Sequence, residues 1–183
     1  KSLAYDLYEY ARSRSPQKTA HNIAKLFQKE PGSPFEGRIK ILGRAMGGTH
    51  ERLTQAAFVD RLMPLISRDP MKDRDLLKRG RRIKKADEAE SKRLVFRNLF
   101  VDEEDAKIAK ILWNFFKAVA ERWPDAWKSE DRGVILPRTN GFAALMRFFV
   151  PAYMRLAGPG ELVKKSDFAE LLAEIDKDDS DFT

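Results

Sequence analysis

The stretch DEEDAKIAKILWNFFKAVAERWP, residues 102–124, decides the fold class. Ile108, Leu112, Phe115, Phe116, Val119 and Trp123 recur at the three-and-four spacing that places side chains on one face of an α-helix. Asp102 and Asp105 stand where the partial positive charge of a helix N-terminus favours acids, and Pro124 removes the backbone donor that a further turn would need. The segment therefore predicts a long, well-delimited helix.

The same signals repeat on either side of it. Ser15-Pro16 pairs an N-cap serine with proline at the first helical position and should open a helix over Gln17 to Lys29. Ser33-Pro34 should open a second short helix, with Glu36 completing a capping box and Phe35, Ile39 and Leu42 forming one apolar stripe before Gly43. After the turn Gly47-Gly48, Thr54 can cap a helix whose Phe58, Leu62 and Leu65 share a face and which Pro64 should bend or end. Downstream, Thr139 or Asn140 should begin an apolar helix bent at Pro151, and Ser166 should cap a last helix carrying Phe168, Leu171, Leu172 and Ile175.

Only Leu94 to Phe100 and Gly133 to Pro137 read as extended, so at most one short hairpin is expected. The fold class predicted is mainly α: a single compact multi-helix domain of about six to eight helices, more than half of its residues helical. Residues 1–183 form that one domain, with a basic, flexible insertion at 68–93 and an acidic tail at 174–183.

Composition fits such a domain. With 43% of its 183 residues hydrophobic, the chain can bury about 70% of its unfolded surface. The absence of cysteine excludes disulfides, thiolate nucleophiles and cysteine-ligated zinc. The most apolar run, Phe142 to Leu156, is interrupted by Arg147, Pro151 and Arg155, which makes it too short and too charged to span a membrane. The start at Lys1 lacks the features of a signal peptide and reads as a cut through a longer, cytoplasmic protein.

A net charge of +7 favours polyanionic partners, and the positive charge is concentrated. Lys72, Arg74, Lys78, Arg79, Arg81, Arg82, Lys84 and Lys85 face only Asp73 and Asp75 within one short stretch. Such a run neutralises phosphates and releases counterions but carries no base-reading information. A solvated surface is the bland alternative, and Gly80 argues against one continuous helix through the run.

The aromatic group Trp113, Phe115, Phe116, Trp123 and Trp127 could stack unpaired bases, but its spacing reads mostly as core, with Phe115 and Trp127 expected as the exposed pair. His21 and His50 lack metal-ligand spacing, and no serine sits on a nucleophile turn. The glycines of residues 43–48 lack the lysine and hydroxyl of a P-loop. Asp102, Glu103, Glu104 and Asp105 are explained by helix capping and dipole. No catalytic, cofactor-binding or metal-ligating residue is assigned, and no self-sufficient enzyme site is expected. The acidic tail, Glu174 to Asp181, is expected to be frayed and could fold back on the basic run.

Three blocks read together resemble a known family: Lys1 to Leu7, then Ser15 to Ala24 through Ser33-Pro34-Phe35, then Thr139 to Leu145. They are similar to the helical C-terminal part of DGQHR-domain proteins, the DndB-like group associated with DNA sulfur modification. The Asp102-Glu103-Glu104-Asp105 helix and its aromatic end fit the same resemblance. The Asp-Gly-Gln-His-Arg motif itself is absent, so none of the chemistry of the family's core carries over to a residue of this chain. What the resemblance implies is a bacterial protein near DNA-modification, phage-defence or mobile-element functions, with DNA as its partner; on the residues themselves no cofactor is expected. The rival expectation is an interaction module that docks on a missing N-terminal core of the same protein or on a second copy, making a homo-oligomer. A third is an enzyme fragment in which His21, Asn22 and Asn140 line a cleft completed by that core.

Overall fold

The computed structural model describes residues 14–41, 53–131 and 133–182. The expectations for the opening run, for Leu42 and the glycines of 43–48, and for His50 lie outside these residues. Helix accounts for 62% of the described residues, as a mainly α domain requires. In chain order the elements are α1 (Pro16–Lys29), β1 (Ile39–Lys40), β2 (Leu53–Thr54), α2 (Gln55–Ile66), α3 (Pro70–Lys78), α4 (Glu88–Ser91), α5 (Arg97–Val101), α6 (Asp105–Arg122), α7 (Pro124–Lys128), α8 (Thr139–Leu156) and α9 (Lys165–Ala173). A 3-10 turn, Asp179–Phe182, follows. The nine α-helices among the described residues exceed the expected number because α4, α5 and α7 are single turns of four or five residues.

Local capping sets several of these starts. Ser15 Oγ accepts the Lys18 N–H at 3.1 Å ahead of Pro16, and Thr54 Oγ1 accepts the Ala57 N–H at 3.1 Å. Pro64 does not end α2, which runs on to Ile66. Ser166 is not a cap: α9 begins one residue earlier, and its first turn is closed by Asp167 Oδ2, which accepts the Lys164 N–H at 3.2 Å.

Ser33-Pro34 opens no helix. The Ser33 hydroxyl accepts the Phe35 N–H at 3.1 Å, Glu36 Oε2 reaches back to the Gly32 N–H at 2.8 Å, and the chain turns into β1. Both polar groups thus close a turn, leaving Phe35 free to point into the core. In place of a hairpin, β1 and β2 pair in parallel, Ile39 with Leu53 and Lys40 with Thr54. The two segments expected to be extended are not strands. Val95, Phe96, Leu99 and Phe100 bury at helical spacing around α5, and Val134 and Leu136 are apolar plugs in a turn ahead of α8.

The core surrounds α6. Its buried residues include Ile108, Ile111, Leu112, Phe115, Phe116, Ala118 and Val119, which cover most of its circumference. Phe115 and Trp127 are therefore buried, against expectation. Phe115 meets Phe149 at 5.2 Å and Phe168 at 5.3 Å, while Trp127 packs 5.1 Å from Phe35 and donates its indole N–H to the Pro34 carbonyl at 3.0 Å. Phe116 sits among Phe35 at 4.9 Å, Phe115 at 5.0 Å and Phe142 at 5.4 Å. A helix packed on several sides has no aromatic face to spare.

Three ties close the structure. Arg14 donates to the Phe100 carbonyl and to Asp105 Oδ1 and lies over the Phe100 ring, while Thr19 donates to Asp105 Oδ2 at 2.8 Å. Gly141 lets α8 approach the preceding turn: a Cβ there would lie 2.1 Å from the Ile135 carbonyl oxygen. The acidic tail packs away from the basic run, with Asp179 Oδ1 accepting the Ala126 N–H at 2.7 Å and Phe182 4.9 Å from the Trp123 ring. No helix among the described residues is long and apolar enough to cross a membrane.

Candidate nucleic-acid interface

The basic run is divided by its own sequence. Asp69 caps α3 by accepting the Lys72 N–H at 3.0 Å, so Lys72, Arg74 and Lys78 are carried on a helix. Gly80, at φ +66°, then ends that helix: its N–H reaches the Leu77 carbonyl at 2.9 Å, and the Arg81 N–H reaches Leu76 at 2.9 Å. Arg79, Arg81, Arg82, Lys84 and Lys85 follow on an irregular segment that leads to α4.

That segment is anchored at several points. Ile83 is buried. Arg97 Nε donates to the Lys84 carbonyl at 2.9 Å, and Asn98 Oδ1 accepts the Ala86 N–H at 2.8 Å. Arg97 also forks onto Asp73, with one bond at 3.1 Å and a shorter one from Nη1, and Ser67 donates to the same carboxylate. Asp73 and Arg97 are both buried, and a bidentate pair with its remaining positions satisfied is the geometry in which such a pair holds. It fixes α3, the loop and α5 together.

Of the eight basic residues, two are engaged by carboxylates. Arg74 bonds Asp75 at 2.9 Å, and Lys85 Nζ bonds Asp102 Oδ2 at 2.7 Å. Lys72, Lys78, Arg79, Arg81, Arg82 and Lys84 are exposed and have no carboxylate partner among the described residues. Clefts lie on both sides of the loop. One, of about 580 Å³, is lined by Arg81, Asp102 and Glu103; the other, of about 540 Å³, by Arg68, Lys72, Lys84, Glu90 and the Asp73–Arg97 pair, with Arg82 and Lys85 reaching both. Among the described residues no aromatic ring lines either of them.

Arg68, Asp73, Arg97 and Asn98 are the members of this surface that sequence reasoning missed. Arg97 left one trace, a charged residue inside the apolar stretch Leu94-Val95-Phe96-Arg97-Asn98-Leu99-Phe100. Arg68 lies just before the run and is invisible until α3 folds back.

The carboxylates at 102–105 do not form an acid/base pair. Asp105 is committed to Arg14 and Thr19, Asp102 to Lys85. Glu103 holds a left-handed φ of +63°, closing α5 just as Gly80 closes α3. His21 is half-buried, and Asn22 and Asn140 are exposed. Among the described residues no group of three His, Asp or Glu side chains could hold a metal ion. Comparison of the chain with protein-family models, with curated proteins and with solved structures finds no match.

Proposed function

We propose that this chain is a DNA-associated binding domain that contacts phosphates through residues 72–85 without reading base sequence, as a DGQHR-like, DndB-like protein of the bacterial cytoplasm, active in DNA modification or phage defence, would require. The observation that carries it is the set of six exposed cations without a carboxylate partner among the described residues: Lys72 and Lys78 on α3, and Arg79, Arg81, Arg82 and Lys84 on the segment that the Arg97 and Asn98 side chains tie down. Cations fixed in place lose less conformational freedom on meeting a phosphate row than cations on a floppy tail. Among the described residues neither cleft is lined by an aromatic ring, so those residues offer no platform for base stacking there.

The interaction-module alternative has less support. It requires an open apolar face, whereas Phe142, Leu145, Met146 and Phe149 of α8 are buried in the chain's own core. The exposed large apolar residues Leu26, Met71, Ile135 and Leu162 come from separate parts of the chain, as ordinary surfaces do.

Fluorescence anisotropy on two unrelated duplexes across a salt series tests the proposal. With about five phosphates neutralised, log affinity should fall with log salt at a slope of roughly −4 to −5, alike for both sequences. Absence of salt-dependent binding at about 50 mM ionic strength would refute it.

A further inference from the structure

We infer that phosphate is held on only one flank of the loop, in the cleft between residues 81–85 and α3, with Arg68, Lys72, Arg82 and Lys84 as its cradle. This rests on the phosphate-contact proposal above and assigns it a place. Both flanks carry cations but differ in how those cations are occupied.

On the α5 side, Lys85 is bonded to Asp102 at 2.7 Å and Arg14 to Asp105 and the Phe100 carbonyl. Glu103 adds a further carboxylate to the lining. Only Arg81 and the shared Arg82 remain, and any phosphate entering there must displace an ion pair and approach Glu103. Like charges brought together in this way oppose binding.

On the α3 side two of the three lining acids are already used. Asp73 is consumed by Arg97 in the buried pair that forms the floor, and Asp69 is occupied at the N-terminus of α3. Glu90 stands 3.7 Å from Arg68, whose side chain is 72% exposed, a loose surface contact that a phosphate can outcompete. Lys72 and Lys84 have no carboxylate partner among the described residues. These cations therefore converge over a floor whose own charge is neutralised. The described lining holds cations and no aromatic ring, which suits the phosphate rather than the base, so the ligand class is a phosphodiester backbone or another row of closely spaced phosphates.

Two triple variants of equal charge separate the cradle from the rest of the run. Arg68→Ala/Lys72→Ala/Lys84→Ala and Lys78→Ala/Arg79→Ala/Arg81→Ala each remove three positive charges, and only the first touches the lining of the cradle, so a diffuse field would weaken both alike. All six positions are exposed, and unchanged circular dichroism will verify the fold. The first variant should bind a short duplex at least about tenfold more weakly and flatten the salt slope by about 2 to 3. The second should lose less than about threefold, with a slope change below about 1. Inorganic tripolyphosphate should displace duplex from the wild type and the second variant with similar potency. Equal losses, a larger loss in the second variant, or no displacement by tripolyphosphate would each overturn the one-flank cradle. The phosphate-contact proposal survives those results so long as the wild type keeps its salt-dependent binding. If the wild type shows none, both fall.

Discussion

The surroundings of Phe116 and of Arg97 are held by opposite means. Phe116 lies in a cluster of rings where cohesion is non-directional and spread over many contacts, so no single partner sets its position. Arg97 is positioned by three directed contacts, two to Asp73 and one to the Lys84 carbonyl, across segments that carry mostly polar side chains. The contrast teaches that the core supplies stability, while a few hydrogen bonds decide where the positive charge stands. The first should respond to volume and the second to geometry.

Phe116→Ala is the largest disruption expected, costing about 3 to 5 kcal/mol through lost transfer energy and a residual cavity. Its melting temperature should fall equally at low and high salt, and an unchanged value would mean that the ring cluster does not hold the domain. Next is Arg97→Ala, at about 3 kcal/mol, because Asp73 is left buried and unpaired. Trypsin should then cut at residues 79–85 well before global unfolding, and Arg97→Lys should rescue little, since an ammonium cannot reproduce the fork. Equal protection of this loop in wild type and variant would show that it is held by something other than Arg97.

A third test uses Tyr153, a titrating group in the aromatic core. Burial pushes Tyr153 from 10.0 up to about 12, its hydroxyl donating to the Glu161 carbonyl at 2.6 Å. The folded state thus holds its proton more tightly than the unfolded chain does. The associated stability is complete below about pH 10 and is lost as pH rises toward 12, on the order of 2 kcal/mol in all. Denaturation at several pH values should show a shallower loss for Tyr153→Phe across that window. The smallest effect is a gain. Glu103→Gly relieves a left-handed backbone position and should add about 0.5 to 1 kcal/mol, readable as a small rise in urea midpoint with the same slope.

How much of this was legible in the sequence depended on how local the deciding interaction was. Ser15 and Thr54 act within three residues, and their caps fall where the sequence placed them. Ser33 carries the same signal but spends its hydroxyl on Phe35, because burying Phe35 against Phe116 and Trp127 outweighs a short helix. The spacing of α6 identified a helix correctly but could not say that its remaining sides were also covered, which misplaced Phe115; Trp127, on α7, is covered by Phe35 and Pro34 from a distant part of the chain. Of the candidate interface, the density of cations was plain. Their division into paired and unpaired members was legible only for Arg74, which sits beside Asp75; Lys85 is paired by Asp102, 17 residues away, and the loop that carries it is tied by Arg97 to the Lys84 carbonyl, 13 residues away.

The bonds from Trp127 to Pro34 and from Arg14 to Asp105 join residues 93 and 91 apart. On a ribosome adding about 5 to 20 residues per second, the segment 14–38 waits roughly 5 to 20 seconds before its partners exist. During that interval Phe27, Phe35 and Phe58 have no α6 or α8 to cover them. Codon choice and chaperone supply over the first hundred residues should therefore govern the yield of folded protein more strongly than the same changes made downstream.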